Sequence, residues 1–230
     1  MQIEKTAEQY GRNGFVVIEG FYTAAQIDGL IEAMEKKGVF EYDNSNDLLA
    51  IDAVYDIAAS AGLMSIVRPL TGDGAVPFHA IVLDKTKDNN WGLDWHQDLK
   101  IAVQEKIETT GYTGWTVEAG IPHVVPPVAV LEKLVTVRIH LDDCDGTNGA
   151  IWALPGTHRL GIVAAADMGD TVRSHKITEC TVRKGGIMLL SPLVLHKSPY
   201  ALTNRHRRVL QIAYRATELH NGIRWYSKDV

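Results

Sequence analysis

Residues 135–141 read VTVRIHL, and in this stretch aliphatic and polar side chains alternate without a break. Successive side chains of a β-strand point to opposite faces of the sheet, so the pattern predicts a strand with one aliphatic and one polar face. The polar face carries Thr136, Arg138 and His140. Two interpretations of it stay open: it faces solvent, as in many antiparallel sheets, or it lines a binding cavity.

Short apolar runs before and after this strand have the same β character and are separated by turn residues. The predicted strands are residues 78–83, 134–141, 151–154, 186–190 and 209–214, and Thr147, Asn148 and Gly149 are predicted to form a hairpin turn. Many short strands with turn punctuation favour a β-sandwich or jelly roll.

Residues 1–75 have a helical pattern instead. Thr23 and Gln26 form a capping-box signature, and Gly38 stands where a C-terminal cap is expected. Between them, apolar residues follow at the spacing of one helix face: Ile27, Leu30, Ile31 and Met34. Residues 14–18 predict a buried strand, and residues 51–61 and 63–70 two more helices. We expect one domain over residues 1–230, with helical supports in 1–75 and the β core in 76–230.

Composition excludes several classes of protein. The chain has 230 residues, 46% hydrophobic and 22% charged, which is typical of a globular domain. A net charge of −5 does not favour nucleic acid as a partner. Two cysteines are too few for a disulfide framework, and neither an apolar leader nor a membrane-length apolar run is present. We expect a cytoplasmic protein that binds neither nucleic acid nor membrane; its oligomeric state stays open.

Residues 111–127 are rich in glycine and proline and also contain Trp115 and His123. This composition predicts an irregular, partly stiffened loop. Such loops are often lids over a site, although many are insertions without a role. We expect a lid-like loop over residues 104–130.

Two His-x-Asp motifs compete as parts of a metal site, His96 with Asp98 and His140 with Asp142. Nine histidines and 28 acidic residues produce roughly one such match by chance. The second motif runs into an aspartate-rich turn, whereas the first has an aromatic flank, which includes Trp95. We therefore favour the first motif.

His196 and Arg207 complete the candidate site. Two imidazoles and one carboxylate hold one face of a non-haem Fe(II) ion and leave the opposite face open. Arg207 is predicted on the next strand, returning antiparallel beside His196, where a guanidinium fork would match the carboxylate of a co-substrate. Arg208 is its rival, because only one of two adjacent strand residues faces the cavity.

The sequence resembles the phytanoyl-CoA dioxygenase family of Fe(II)/2-oxoglutarate oxygenases over nearly its whole length. The matching segments are residues 14–18 with the capped helix, residues 95–98, 141–152 and 154–159, and residues 196–198 with Arg207. The resemblance implies a double-stranded β-helix (a jelly-roll, cupin-like core), Fe(II) on His96, Asp98 and His196, and 2-oxoglutarate anchored by Arg207. It also implies that Trp152 lies near the co-substrate, and we add Thr136 to these candidate contacts.

These observations predict a 2-oxoglutarate-dependent non-haem iron dioxygenase that uses O₂ to hydroxylate an unactivated C–H bond of a small molecule, releasing succinate and CO₂. Alternatives are desaturation, epimerisation or ring formation by the same chemistry, and a non-catalytic cupin-like metal-binding or sensing module. Halogenation is disfavoured because Asp98 occupies the position that related halogenases leave small. Candidate substrate contacts are Arg138, His140, Trp115 and His123.

Overall fold

The computed structural model describes residues 2–40, 47–86, 88–118 and 120–226. Its helices are α1 (Gln2–Asn13), α2 (Ala24–Glu35), α3 (Asp52–Ala58), α4 (Ala61–Thr71), α5 (Val128–Leu131) and α6 (Met168–Ser174), with 3-10 turns at Leu48–Ala50 and Thr157–Leu160. Its strands are β1 (Phe15–Ile18), β2 (Val76–Lys85), β3 (Leu93–His96), β4 (Ile101–Ala102), β5 (Thr113–Glu118), β6 (Ile121–Val125), β7 (Val135–His140), β8 (Ile151–Ala153), β9 (Thr178–Cys180), β10 (Ile187–Leu190), β11 (His196–Ser198) and β12 (Arg207–Arg215). Among the described helices, none has the length and apolar character needed to cross a membrane.

The strands form three antiparallel sheets. The first has the order β1-β10-β7-β12-β2, the second β3-β11-β8-β9 and the third β4-β6-β5. The first two sheets pack face to face, because Met188 and Leu190 of β10 share one buried cluster with Ile151 and Ala153 of β8. This arrangement confirms the predicted jelly-roll core.

Helices α2, α3 and α4 pack against the outer face of the five-stranded sheet. The aliphatic residues of β7, Val135, Val137 and Ile139, belong to the same buried cluster as the apolar faces of these helices. All six residues of β7 are buried. The polar face of β7 therefore points into the molecule and not to solvent, and Thr136 on this face lines the cavity described below.

The capped helix is confirmed as α2. Thr23 accepts a hydrogen bond from the backbone N–H of Gln26, and the Gln26 side chain accepts one from the N–H of Thr23. The division between the next two helices lies earlier than predicted, because Ser60 caps α4 by accepting from the N–H of Leu63. Gly62 thus lies inside α4 instead of separating two helices.

Residues 111–127 are not an irregular loop, and that expectation was wrong. They form the hairpin of β5 and β6, to which β4 adds a third strand. Gly114 and Gly120 take positive φ angles of 63° and 80° at a bulge and at the hairpin turn. The glycines thus supply the turn geometry of a sheet instead of breaking it. Closure of this segment as a lid remains a prediction.

The turn at Thr147 to Gly149 does not form the predicted hairpin, since it joins β7 of the first sheet to β8 of the second. The buried Asn148 side chain fixes it by accepting from the N–H of Asp145 at 2.8 Å and donating to the Asp143 carbonyl at 2.7 Å. Gly149 has a φ of 86°, and a Cβ there would lie 2.8 Å from the Pro199 carbonyl. The turn is therefore a tight crossover between sheets.

Candidate metal centre and interior cavity

His96, Asp98 and His196 come together at one end of the core. The two histidines are directly opposed on the paired strands β3 and β11. Asp98 lies between them, with its Oδ1 3.6 Å from Nε2 of His96 and its Oδ2 3.7 Å from Nε2 of His196. Their ligand atoms all lie within 4.8 Å of one another, and no other such cluster occurs in the part of the chain that the structure describes. This is the donor set of a facial triad.

The tautomer of each imidazole suits a metal. Nδ1 of His96 lies 2.6 Å from the Asp94 carbonyl, and Nδ1 of His196 lies 3.0 Å from the Val194 carbonyl. A carbonyl can only accept, so each Nδ1 carries the proton and each Nε2 offers a lone pair on the Asp98 side. Burial lowers the pKa of His196 against the opposing effect of Asp98, which favours the neutral, ligating form.

Gln97 anchors the His96-to-Asp98 motif by hydrogen bonds to neighbouring segments. Its Nε2 donates to the carbonyls of Leu193 at 2.7 Å and Gly161 at 2.8 Å, and its Oε1 accepts from the N–H of Val163 at 2.9 Å. The N–H of Asp98 donates to the Pro192 carbonyl at 2.9 Å. These bonds join the segment at residues 97–98 to the segments at residues 161–163 and 192–193. The sequence analysis missed Gln97 because nothing in the motif distinguishes a spacer from a positioning residue.

The rival motif is divided between two environments. Asp142 accepts two hydrogen bonds from the Arg208 side chain, at 2.9 and 2.8 Å. His140 is buried, and within the described part of the chain neither of its ring nitrogens has a hydrogen-bond partner. Burial lowers the pKa of His140 well below its usual value, and Arg138 and Arg207 lower it further. The two residues therefore do not share a metal site.

Arg207 lies in the interior, whereas Arg208 is on the other face of the strand and forms a partly buried ion pair with Asp142. Arg207 is 1% exposed, and its Nε has no hydrogen-bond partner among the residues that the structure describes. The strand context differs from the prediction: β12 belongs to the five-stranded sheet and β11 to the four-stranded one, so Arg207 is not beside His196 on a neighbouring strand. The two residues belong to facing sheets, because the jelly roll alternates strands between its two layers.

Lys85 is a second interior cation, and the sequence analysis missed it. It is directly opposed to Arg207 across β2 and β12 and is fully buried. Its Nζ donates to the Ser198 hydroxyl at 2.9 Å and to the Pro199 carbonyl at 2.6 Å, which links the two sheets. Burial and then Arg207 lower the pKa of Lys85 to about 8. The Trp91 ring covers both cations, 5.1 Å from the Lys85 Nζ and 5.9 Å from the Arg207 Cζ.

Arg138 adds a third cation to this interior set. It donates through Nη1 to the Gln211 side chain, while its Nε finds no hydrogen-bond partner in the described ranges. Burial and then Arg207 lower its pKa to about 10, while Asp98 acts in the opposite direction. Among the described residues, none of the three cations has an ion pair with a carboxylate. Buried cations without acid partners are costly, so this set is suited to an anion brought by a ligand.

A cavity of about 890 Å³ runs from Asp98 between the five-stranded sheet and the β4-β6-β5 sheet. Thr136 and Gln211 line it from β7 and β12, and His123 lines it from β6. Trp115 is instead half-buried and packs against the apolar cluster that includes Val103 and Leu131. The Lys106 Nζ lies 5.9 Å from the centre of its ring. The hairpin thus forms a wall of the cavity, which an irregular loop would not do.

Trp152 is not among the interior residues. It pairs with Lys197 across β8 and β11, whereas the neighbouring pair of Ala153 and His196 faces the core. Strand alternation puts Trp152 and Lys197 on the opposite face, and the Lys197 Nζ lies 5.8 Å from the Trp152 ring. We therefore do not include Trp152 among the proposed co-substrate contacts.

A double-stranded β-helix that brings two histidines and an aspartate together at one end defines the class of 2-oxoglutarate-dependent non-haem iron oxygenases, and the chain is an enzyme of this class. The family model for phytanoyl-CoA dioxygenase (PhyH) matches residues 10–209, so the chain belongs to that family. The resemblance stated from the sequence is thereby confirmed. Among curated proteins, none matches the chain significantly.

Several solved structures share the fold. EctD from S. alaskensis with 2-oxoglutarate and 5-hydroxyectoine is 20% identical, over 92% of this chain and 75% of that one, with a TM-score of 0.71. The epimerase SnoN in complex with Fe3+, alpha ketoglutarate and nogalamycin RO is 16% identical, over 93% and 83% of the two chains, with a TM-score of 0.69. AviO1 from Streptomyces viridochromogenes Tue57 is 16% identical, over 92% and 94%, with a TM-score of 0.64. Identities this low establish the fold alone.

Proposed function

We propose that this enzyme hydroxylates an unactivated C–H bond of a small-molecule metabolite, with Fe(II) held by His96, Asp98 and His196. The observation that carries the proposal is the combination of this triad with three buried cations that have no acid partner among the described residues. The fixed Nδ1 donors and the neutral imidazole of His196 fit a divalent metal. Three protein ligands leave three positions of an octahedral ion for ligands from solution.

The interior cations fit the dicarboxylate 2-oxoglutarate. Arg207 supplies a fork of hydrogen-bond donors for the distal carboxylate. Lys85, directly opposed to Arg207 on the paired strand, supplies a second positive charge. Arg207 lowers the pKa of Arg138, whereas Asp98 raises it. We therefore place Arg138 between the distal carboxylate of 2-oxoglutarate and the metal. Thr136 lines the cavity beside Gln211, where its hydroxyl is available to the co-substrate.

In this class of enzyme the metal, once loaded with 2-oxoglutarate and O₂, supplies an oxidant for a C–H bond while the co-substrate becomes succinate and CO₂. The chain itself positions the reactants and restricts water. Gln97 holds the metal-binding segment through three hydrogen bonds. Leu99, Ile101 and Leu134 provide apolar wall of the cavity that Asp98 also lines, which limits access of water to the reacting carbon.

Desaturation, epimerisation and ring formation use the same metal ligands and co-substrate, so product analysis must separate them from hydroxylation. The interior cations argue against a non-catalytic metal-binding module, because a metal site alone has no use for a buried Arg207 or Lys85. The size of the cavity, about 890 Å³, suits a small-molecule substrate.

The direct test is anaerobic addition of Fe(II) and then 2-oxoglutarate to the purified protein, followed by exposure to air. We expect a visible metal-to-ligand charge-transfer band before air and succinate after it. Asp98→Ala is expected to lack both, whereas Asp142→Ala, changed in the rival motif, is expected to retain both. Absence of the band together with absence of succinate would refute the proposed function.

A further inference from the structure

The end of the cavity formed by β2 and β6 carries a group of polar side chains that the metal and 2-oxoglutarate do not use. His79 on β2, His123 on β6 and Asp47, which precedes the Leu48–Ala50 turn, all line it. His79 Nδ1 lies 3.8 Å from Asp47 Oδ1. Burial lowers the pKa of His79, Asp47 opposes that effect, and His123 adds to it. His79 on β2 therefore interacts electrostatically with Asp47 and with His123 on β6.

Asp47 is held rigidly by the backbone. Its Oδ1 accepts from the N–H of Ala80 at 2.9 Å and from the N–H of Leu49 at 3.1 Å. These two bonds fix the direction of the carboxylate and leave Oδ2 as an acceptor. His79 is a neutral neighbour at neutral pH, so it does not cancel the negative charge of Asp47. A fixed carboxylate in a cavity is suited to a hydrogen-bond donor from a ligand.

His123 adds a second acceptor. Its Nδ1 lies 3.0 Å from the Ile121 carbonyl, so Nδ1 donates there and Nε2 carries the lone pair. The group thus offers more acceptors than donors to a ligand, and hydroxyl and amino groups are the complementary partners.

The charged residues of the cavity lining also disfavour the binding of an anionic substrate. Among the described residues that line the cavity, the carboxylates are Asp47, Asp98 and Glu118, and the single Lys or Arg is Lys100. Lys100 is already committed, since its Nζ lies 3.1 Å from the Glu118 carboxylate and 2.9 Å from the Thr116 hydroxyl. Among the described residues of this lining, a phosphate, a carboxylate or a CoA thioester would find no unpaired Lys or Arg.

We propose that His79, His123 and Asp47 form a substrate subsite for a hydroxyl or amino group, and that the substrate is a non-anionic, donor-bearing molecule instead of an acyl-CoA, a phosphate ester or a carboxylic acid. This inference rests on the proposed function, because it takes the cavity that ends at Asp98 as the substrate site. The family name does not predict it. The inference rests on His79, His123 and Asp47, which line this cavity.

The test is ligand-observed NMR with a fragment set divided equally into alcohols, amines, carboxylates and phosphate esters, together with hexanoyl-CoA. The protein is loaded with Fe(II) and saturated with 2-oxoglutarate under nitrogen, so the interior cations are occupied. We expect the binders to be alcohols and amines. Asp47→Asn keeps an oxygen for the two backbone donors but turns the free acceptor into a donor, and is expected to weaken amine binders by about tenfold or more.

His123→Phe is expected to weaken alcohol binders, whereas Asp170→Asn, the same change as Asp47→Asn made at an exposed residue of α6 away from the cavity lining, is expected to leave alcohol and amine binders unchanged. Predominant binding of carboxylates, phosphates or hexanoyl-CoA would overturn the inference. So would a set of binders indifferent to Asp47→Asn, or no binders at all. The charge-transfer band recorded on the same samples separates this outcome from failure of the proposed function, because a normal band with the wrong fragments refutes only the subsite.

Discussion

Arg207→Ala is expected to weaken 2-oxoglutarate binding much more than it disturbs the protein. Arg207 is 1% exposed and faces the interior, and its Nε has no hydrogen-bond partner among the described residues, so the guanidinium is available to form two parallel bonds to a carboxylate. Removal of one partner from a buried, hydrogen-bonded charge pair costs about 2–5 kcal/mol. Lys85, which is opposed to Arg207 across β2 and β12, remains in the variant and limits the loss. We therefore expect a loss of about 3–4 kcal/mol, or roughly 10²- to 10³-fold in Kd.

The assay is an anaerobic titration of the charge-transfer band with 2-oxoglutarate at constant Fe(II). Iron affinity is expected to stay unchanged in Arg207→Ala, and succinate formation is expected to recover at saturating 2-oxoglutarate. Arg208→Ala is the matched control, because it loses two bonds to Asp142 but faces away from the interior. A Kd of Arg207→Ala within threefold of wild type, or an equal loss in Arg208→Ala, would refute the assignment.

Three further predictions follow from the same site. The ammonium of Lys85, whose pKa is about 8 and not 10.5, loses its proton as pH rises through about 8, so 2-oxoglutarate affinity should fall there in wild type but not in Lys85→Met. Because unfolded lysine still binds its proton between pH 8 and about 9.5, the free energy of unfolding of the metal-free wild type should rise over that range relative to Lys85→Met, and a flat difference would contradict this. Iron content after anaerobic loading should vanish in His96→Ala and persist in His140→Ala; the opposite result would mean that the other motif binds the metal. Gln97→Leu and Gln97→Glu should both weaken iron binding by about 10- to 100-fold, because Leu removes all three bonds and Glu places an oxygen against the two carbonyls to which Nε2 donates; unchanged iron affinity in Gln97→Leu would exclude the positioning role.

The sequence predicts most reliably those elements whose pattern is local. The alternation in β7 and the capping box of α2 each depend on residues within one element, and both appear as predicted. The hairpin of β5 and β6 was missed because its glycines and Pro122 suggest irregular chain, whereas pairing with β4 stabilises it as a sheet. Long-range pairing overrides local propensity in this segment.

The candidate site shows the same division. The spacing of His96 and Asp98 is local and visible in the sequence, whereas Lys85 becomes recognisable only through its partners. Its burial depends on Arg207 across the sheet and on Ser198 from the facing sheet, 113 positions away. Likewise, strand alternation permitted either Arg207 or Arg208 to face inward. The pairing of Arg208 with Asp142 decides between them.

The most direct measurement is a crystal structure of the enzyme loaded anaerobically with Fe(II) and 2-oxoglutarate, with iron located by anomalous scattering. We predict iron bonded to Nε2 of His96, Nε2 of His196 and the Asp98 carboxylate, with the distal carboxylate of 2-oxoglutarate between Arg207 and Lys85. Iron at another set of residues, or a co-substrate carboxylate that contacts neither cation, would contradict this account.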